Sequence, residues 1–382
     1  MKKIVSTLVA ALLAVSCLAG CGTEGQQGSA GENSSAKSGT VKIGGIGPLT
    51  GSAASYGISV QNGGQLAVDE INAAGGIDGM QIEYMFEDDE NDPQKAVNAY
   101  NRLMDNGMQV LMGTVTSNPC IAVADESVND GILQISPSGS AQECTKNPNG
   151  FRICFTDPQQ GEKMAEYIKN TDNLSKIAVI YDSSDSYSTG IKDAFKTKFE
   201  QLGGTVVAEE AFTSGDKDFK AQLTKISGTG AEALFLPFYY TEVAYVADQA
   251  KTLGLNLPYY GCDGWDGVIN QLKGDTSVIE NAVFLTPFIA TAEKENIKKF
   301  VQAYEAKFNA TPDQFAADAY DAIYTIKAAV EKAGEVDNDK LIKAMTEIEV
   351  DGVTGTMTFT ADGEPDKIAN FAVIQDGKYI VK

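Results

Sequence analysis

The chain has 382 residues, with 52 acidic against 30 basic side chains, no histidine and a formal net charge of -22. An acid excess of this size repels nucleic acid and other polyanions, and no Lys/Arg cluster interrupts it, which leaves small molecules and proteins as partners. Without histidine there is no Ser-His-Asp or Cys-His catalysis and the commonest zinc ligand is missing, so no enzyme activity, metal or cofactor is expected.

In chain order, Lys2 and Lys3 precede an apolar run, Ile4 to Val15, that is too short to span a bilayer and leads to Leu18-Ala19-Gly20-Cys21. These letters resemble a bacterial lipoprotein signal, although an ordinary signal peptide with a chance cysteine fits them as well. The resemblance implies removal of residues 1-20, lipidation of Cys21 and an extracytoplasmic chain anchored to the cell membrane. Cleavage removes two lysines and no acid, so the charge becomes -24. Residues 21-40, rich in Gly, Ser and Gln, read as a flexible tether.

From Val41 onward, strand and helix patterns alternate. The strands are Val41 to Gly47, Gln81 to Phe86, Gln109 to Met112 and Ile132 to Ile135; the helices between them are Tyr56 to Ala73, Pro93 to Asp105 and Pro119 to Asn129. A second series follows Asp157-Pro158. Its helices lie at 159-170, Tyr187 to Gln201, Phe219 to Ile226 and Thr241 to Leu253, and its strands at Lys176 to Tyr181, Thr205 to Ala211, Ala233 to Leu236 and Tyr259-Tyr260. Continuously apolar strands such as Ala233-Leu234-Phe235-Leu236 suit parallel sheets covered on both faces. The fold class is therefore α/β, two doubly wound units, with helices at 294-308 and 314-332 and terminal strands shared between them.

Ligands of such sheets bind beyond the carboxyl ends of the strands, so the loops there carry the functional reading. Ile46-Gly47-Pro48-Leu49-Thr50-Gly51 lacks the third glycine of a dinucleotide fingerprint. Tyr56, at the next helix start, is either a cleft wall or a surface tyrosine. Thr116-Ser117-Asn118-Pro119 offers hydroxyls and free backbone N-H groups for a carboxylate, or simply an N-cap. Ser136-Pro137-Ser138-Gly139-Ser140 is a second hydroxyl-rich loop, which turn formation alone also explains. In the second series Tyr187, Tyr239 and Asp263 follow strands; Asp263 is either the partner of a ligand ammonium or a turn aspartate. Of six cysteines, four remain once Cys17 leaves and Cys21 is lipidated. Cys144 and Cys154 flank the turn Lys146-Asn147-Pro148-Asn149-Gly150 and would close a short disulfide loop, or else all four are isolated thiols.

Taken in order, Gly47-Pro48-Leu49-Thr50-Gly51 with Tyr56, Asp88-Asp89 before Asp92-Pro93, Gly131-Ile132 leading to Ile135-Ser136-Pro137, Gly215-Asp216-Lys217-Asp218-Phe219, and Asp263-Gly264 resemble the branched-chain amino acid binding proteins of ABC importers, which are type I periplasmic binding proteins. The resemblance runs from about Val41 to the C-terminus. It implies two lobes joined by three crossovers, residues 41-157 with about 287-362 and residues 158-286 with about 363-382, closing on a free amino acid such as Leu, Ile or Val for delivery to permease subunits. It also implies a carboxylate grip by Ser117 and Ser140 with the backbone around Ser138 and Gly139, an ammonium grip by Asp263, and walls from Tyr56, Tyr187, Tyr239 and Phe315. Trp265 is a further candidate wall, and a monomer is expected. The disulfide of some members is absent, because Asn91 and Thr116 stand at its places, and Asp263 is one methylene shorter than the family's glutamate. An aromatic or other small amino acid or amide is the alternative ligand; a ligand sensor and a hydrolase are the alternative classes.

Overall fold

A computed structural model describes residues 39-272, 275-367 and 369-382. The residues that resemble a lipoprotein signal, Cys21 and nearly all of the tether lie outside the described residues. Among the described residues no helix is long and apolar enough to cross a membrane.

The first sheet is built from β1 (Thr40–Gly47), β2 (Gln81–Asp88), β3 (Val110–Gly113), β4 (Gln134–Ser136) and β5 (Gly150–Arg152), all parallel in the order β2-β1-β3-β4-β5. Its crossover helices are α1 (Ala54–Ala73), α2 (Pro93–Asp105) and α3 (Ser117–Asn129). Parallel strands need such crossovers, and the helices cover both sheet faces, which is why β3 and β4 are buried throughout. Helix starts are set locally. Asp92 accepts from the Lys95 N-H at 2.9 Å with Pro93 as the first helical residue, a position where the missing N-H costs nothing.

The second sheet follows α4 (Asp157–Asn170), whose start is a capping box between Thr156 and Gln159. Its strands are β6 (Lys176–Asp182), β7 (Thr205–Phe212), β8 (Ala233–Leu236), β9 (Tyr259–Gly261) and β10 (Val283–Thr286), linked through α5 (Ser186–Gln201), α6 (Lys220–Ser227), α7 (Tyr240–Thr252) and the short α8 (Val268–Gln271). The chain then returns to the first sheet. There α9 (Glu295–Phe308) and α10 (Gln314–Ala333) pack on α1, and α11 (Asn338–Met345) with the hairpin β11 (Glu349–Gly352) and β12 (Gly355–Thr358) packs on α10. Finally β13 (Asn370–Gln375) and β14 (Lys378–Val381) add antiparallel to the β10 edge, giving β14-β13-β10-β9-β8-β6-β7. The described chain thus passes between the sheets after β5, after β10 and before β13.

The α1–α10 contact positions the site, because α10 begins with Gln314-Phe315 and α1 begins beside Tyr56. It is close enough to require glycine at position 63, where a Cβ would lie 2.0 Å from the Ala316 carbonyl oxygen.

Candidate ligand-binding site

The carboxyl ends of both sheets' strands face one another across a cleft. On one side, Asp263 sits in a single 3-10 turn directly after β9. Its carboxylate is buried and accepts a 2.7 Å hydrogen bond from the Tyr187 hydroxyl, its backbone N-H donates to Gln160 Oε1 at 3.0 Å, and its carbonyl accepts from Gln314 Nε2 at 2.8 Å. Burial pushes this carboxyl up to about 6, with the Tyr187 hydrogen bond pulling the other way, so at neutral pH it is an anion held in a dry place. Tyr187 stacks on Tyr239 with ring centroids 5.0 Å apart.

The first sheet contributes the opposing wall. Tyr56 is fully buried, stacks on Phe315 at 4.0 Å and meets Tyr239 edge-on at 5.5 Å. Its hydroxyl donates to the Gly264 carbonyl and accepts from the Tyr240 N-H at 3.3 Å, while Thr241 Oγ1 donates to the Ser52 carbonyl at 2.8 Å. Farther along, Asn118 bonds both the Ser184 carbonyl and the Ser186 N-H. These bonds draw the two sheets together and leave a cavity of about 10 Å³ lined by Tyr56, Val115, Thr116, Ser138, Tyr187, Tyr239, Asp263, Gly264 and Phe315. That volume is on the scale of one water, so a ligand the size of an amino acid enters only when this wall separates.

Behind the wall, the hydroxyl loops are fixed from below. Arg152, at the end of β5 and fully buried, donates through Nη1 to the Gly139 and Ala141 carbonyls at 2.8 and 3.0 Å, and through Nη2 to Thr145 Oγ1 at 2.9 Å, with Glu364 as its ion-pair partner at 3.0 Å. Ser138 Oγ donates to the Val115 carbonyl at 2.7 Å, and Ser117 Oγ accepts from the Ala141 N-H at 3.2 Å. The Ser140 hydroxyl is different. It is buried beside the carboxylate of Asp157, and neither has a well-directed hydrogen bond; Gln160 Nε2 and Thr116 Oγ1 are orphaned likewise. Buried polar atoms rarely lack partners, and this group lies around the cleft with Asp263 among its near charges, which marks it as a polar surface shaped for a ligand's own donors and acceptors. Burial drives the Asp157 carboxyl well above the usual carboxylate range.

Six of the expected residues thus line one cavity: Tyr56, Ser138, Tyr187, Tyr239, Asp263 and Phe315. Ser117 and Gly139 lie behind it as loop supports and Ser140 at its buried margin. Two expectations differ from the structure. Trp265 is not a wall: its indole is fully buried, donates to the Leu236 carbonyl at 2.8 Å and stacks on Phe284, because within the 3-10 turn Asp263–Trp265 the aspartate faces the cavity while the indole two residues on enters the core. The Cys144–Cys154 bridge is not formed, and both thiols are free. The turn between them leads straight into β5, which places Cys154 near Arg152, Asp318 and Lys367 while Cys144 sits against Cys120. Thr116 belongs to the hydroxyl loop named in the sequence, whereas Asp157, Gln160 and Arg152 have no signal there. Asp157-Pro158 reads there as a helix start, and only the orphaned atoms around it give the site away.

A family model described as periplasmic binding protein matches residues 40–378. The chain belongs to the periplasmic binding protein family. The Leu/Ile/Val-binding protein homolog 3 of Brucella melitensis is 33% identical over 328 residues, covering 85% of this chain and 88% of that one. A leucine-, isoleucine-, valine-, threonine- and alanine-binding protein of Pseudomonas aeruginosa is 31% identical, covering 85% and 87%. Among solved structures, the branched-chain amino acid transporter substrate-binding protein LivJ of Streptococcus pneumoniae, in complex with isoleucine, superposes with a TM-score of 0.82 at 33% identity, covering 90% of this chain and all of that one. The fold is accordingly that of a type I periplasmic binding protein. Such a protein is extracytoplasmic and belongs to a solute-binding family, not an enzyme family.

Proposed function

We propose that this periplasmic binding protein captures a free aliphatic amino acid, of the Leu/Ile/Val class, and hands it to the permease subunits of an ABC importer. The observation that carries the reading is the buried Asp263 carboxylate, held by Tyr187 and sharing one cavity with the hydroxyl loops of the first sheet at Thr116 and Ser138. A zwitterion needs both ends met when it leaves water, since an unpaired buried charge is far costlier than an unpaired dipole. Asp263 takes the ammonium. Ser140, Thr116 and the N-H groups of the Ser117 and Ser138 loops take the carboxylate, and Asp157 and Gln160 complete the polar end. Tyr56, Tyr239 and Phe315 enclose the side chain with apolar surface and no further charge, which favours a hydrocarbon chain. The names of the Brucella, Pseudomonas and Streptococcus relatives support the same ligand class.

In this reading residues 41-157 with 287-362 and residues 158-286 with 363-382 are lobes that rotate about the three chain crossings. Opening breaks the Tyr56–Gly264, Thr241–Ser52 and Asn118–Ser186 bonds, and the ligand replaces them as the bridge. The chain is held to the membrane by lipid on Cys21 and works as a monomer. A thermal-shift screen of the free amino acids tests the proposal: leucine, isoleucine or valine should raise the melting temperature most, and a panel in which none does so refutes it.

A further inference from the structure

Cys120 lies in the first turn of α3, and Cys144 in the 3-10 turn Gln142–Thr145 that packs on it. The two are 24 positions apart in sequence, fully buried, and together with Ala141 form a small cluster separate from the larger cores. Cys144 packs against Cys120 and donates its thiol hydrogen to the Ser117 carbonyl oxygen at 3.8 Å, while Gln134 Nε2 donates to Cys120 Sγ at 3.4 Å. The neighbouring Cys144, with Arg152 close by, draws the Cys120 thiol downward, whereas burial pushes Cys144 up.

The geometry points to Cys120 and Cys144 as a dithiol–disulfide pair that staples the start of α3 to the loop following β4. The oxidant is a small-molecule or protein disulfide of the extracytoplasmic space. Cys120 thiolate attacks one of its sulfurs and releases a thiolate; Cys144, deprotonated, then attacks the mixed disulfide at Cys120. One S–S bond forms here as one breaks in the oxidant, and the two electrons and two protons leave as two thiols. Both sulfurs are buried, so exchange runs while these loops are open, during folding or local unfolding. The bond would tie the Ser117 helix start to the segment just beyond Ser140, which already meets α3 through the Ser117–Ala141 and Asn147–Ala124 hydrogen bonds. This inference does not depend on the identity of the ligand.

The test uses the full chain, reduced in urea and refolded in a glutathione redox buffer, then alkylated and mapped by non-reducing peptide mass spectrometry. A Cys120–Cys144 peptide is expected, retained in Cys154→Ser and lost in Cys144→Ser. The oxidised form should also melt higher than the reduced form by roughly 3 to 10 °C, reversibly with dithiothreitol. Free Cys120 and Cys144 after refolding, or a bridge from either one to Cys154, overturns the pairing. A Cys120–Cys144 bridge without a rise in melting temperature overturns the stapling role.

Discussion

Asp263 and Ser140 make different demands on a ligand, and their substitution should separate them. Removing one partner of a desolvated charged pair costs about 2 to 5 kcal/mol, so Asp263→Ala should weaken amino acid binding roughly 30-fold to several-thousand-fold. A neutral hydroxyl contributes about 0.5 to 1.5 kcal/mol, so Ser140→Ala should lose only about 2- to 13-fold. Titration calorimetry on both variants checks the order, and equal losses would argue against the assigned roles. Asp263 also sets a pH dependence. Its carboxyl titrates at about 6 in the folded protein, and an ammonium binds its anionic form, so affinity should be flat above pH 7 and fall about tenfold by pH 5 with proton release on binding. Affinity that rises toward pH 5 would place the ammonium elsewhere. Sequence position alone made Asp263, Tyr187 and Tyr239 legible, because each follows a strand where an α/β sheet presents ligands. Asp157 and Arg152 were not legible, since a helix-start aspartate and a strand-end arginine have common structural explanations, and their roles appear only through burial and missing or multiple partners.

At the scale of elements, the α1–α10 contact carries both a core and a site. Ile71, Ala319 and Ile323 belong to the large shared core, and the same two helices set Tyr56 on Phe315. Gly63→Ala would drive a methyl into the backbone of α10, and overpacking of this kind costs about 1 to 3 kcal/mol. A lowered midpoint in urea denaturation, with unchanged slope, is expected; an unchanged midpoint would mean that α10 shifts without loss. Most elements could be read from period and caps, and Pro93 to Asp105 and Ala233 to Leu236 have the expected bounds. Two short strands could not. Gly150–Arg152 reads as the end of a turn, and Val283–Thr286 carries no alternation; each is a strand because a neighbouring strand, β4 for the first and β9 with β13 for the second, offers it an edge to pair with.

For the whole molecule, the acid excess and the buried carboxylates act in the same direction. Burial raises Asp89, Asp185, Asp318 and Glu242 to about 7 and Asp263 to about 6, whereas the unfolded chain releases these protons near pH 4. Between about pH 4 and 7 the folded state therefore holds more protons than the unfolded state, and stability falls as pH rises through that window. Self-repulsion at a net charge of -22 adds to the fall. Calorimetric melting without ligand should give a higher midpoint at pH 5 than at pH 7.5, and the reverse order would show that the buried acids are ionised and paired throughout.

The two-lobed arrangement was legible from the alternation of strands and helices, but the extent of its closure was not, because the Tyr56–Gly264 and Thr241–Ser52 bonds join residues about 200 positions apart with no local signature. The central claim is that those lobes close on an aliphatic amino acid whose ammonium rests on Asp263. Titration calorimetry of leucine, isoleucine and valine at pH 7.5, on the wild-type chain and on folded Asp263→Ala, tests it most directly. The account predicts one-to-one binding to the wild type and a loss of at least about 30-fold in the variant. Wild-type binding that survives intact in folded Asp263→Ala would contradict it.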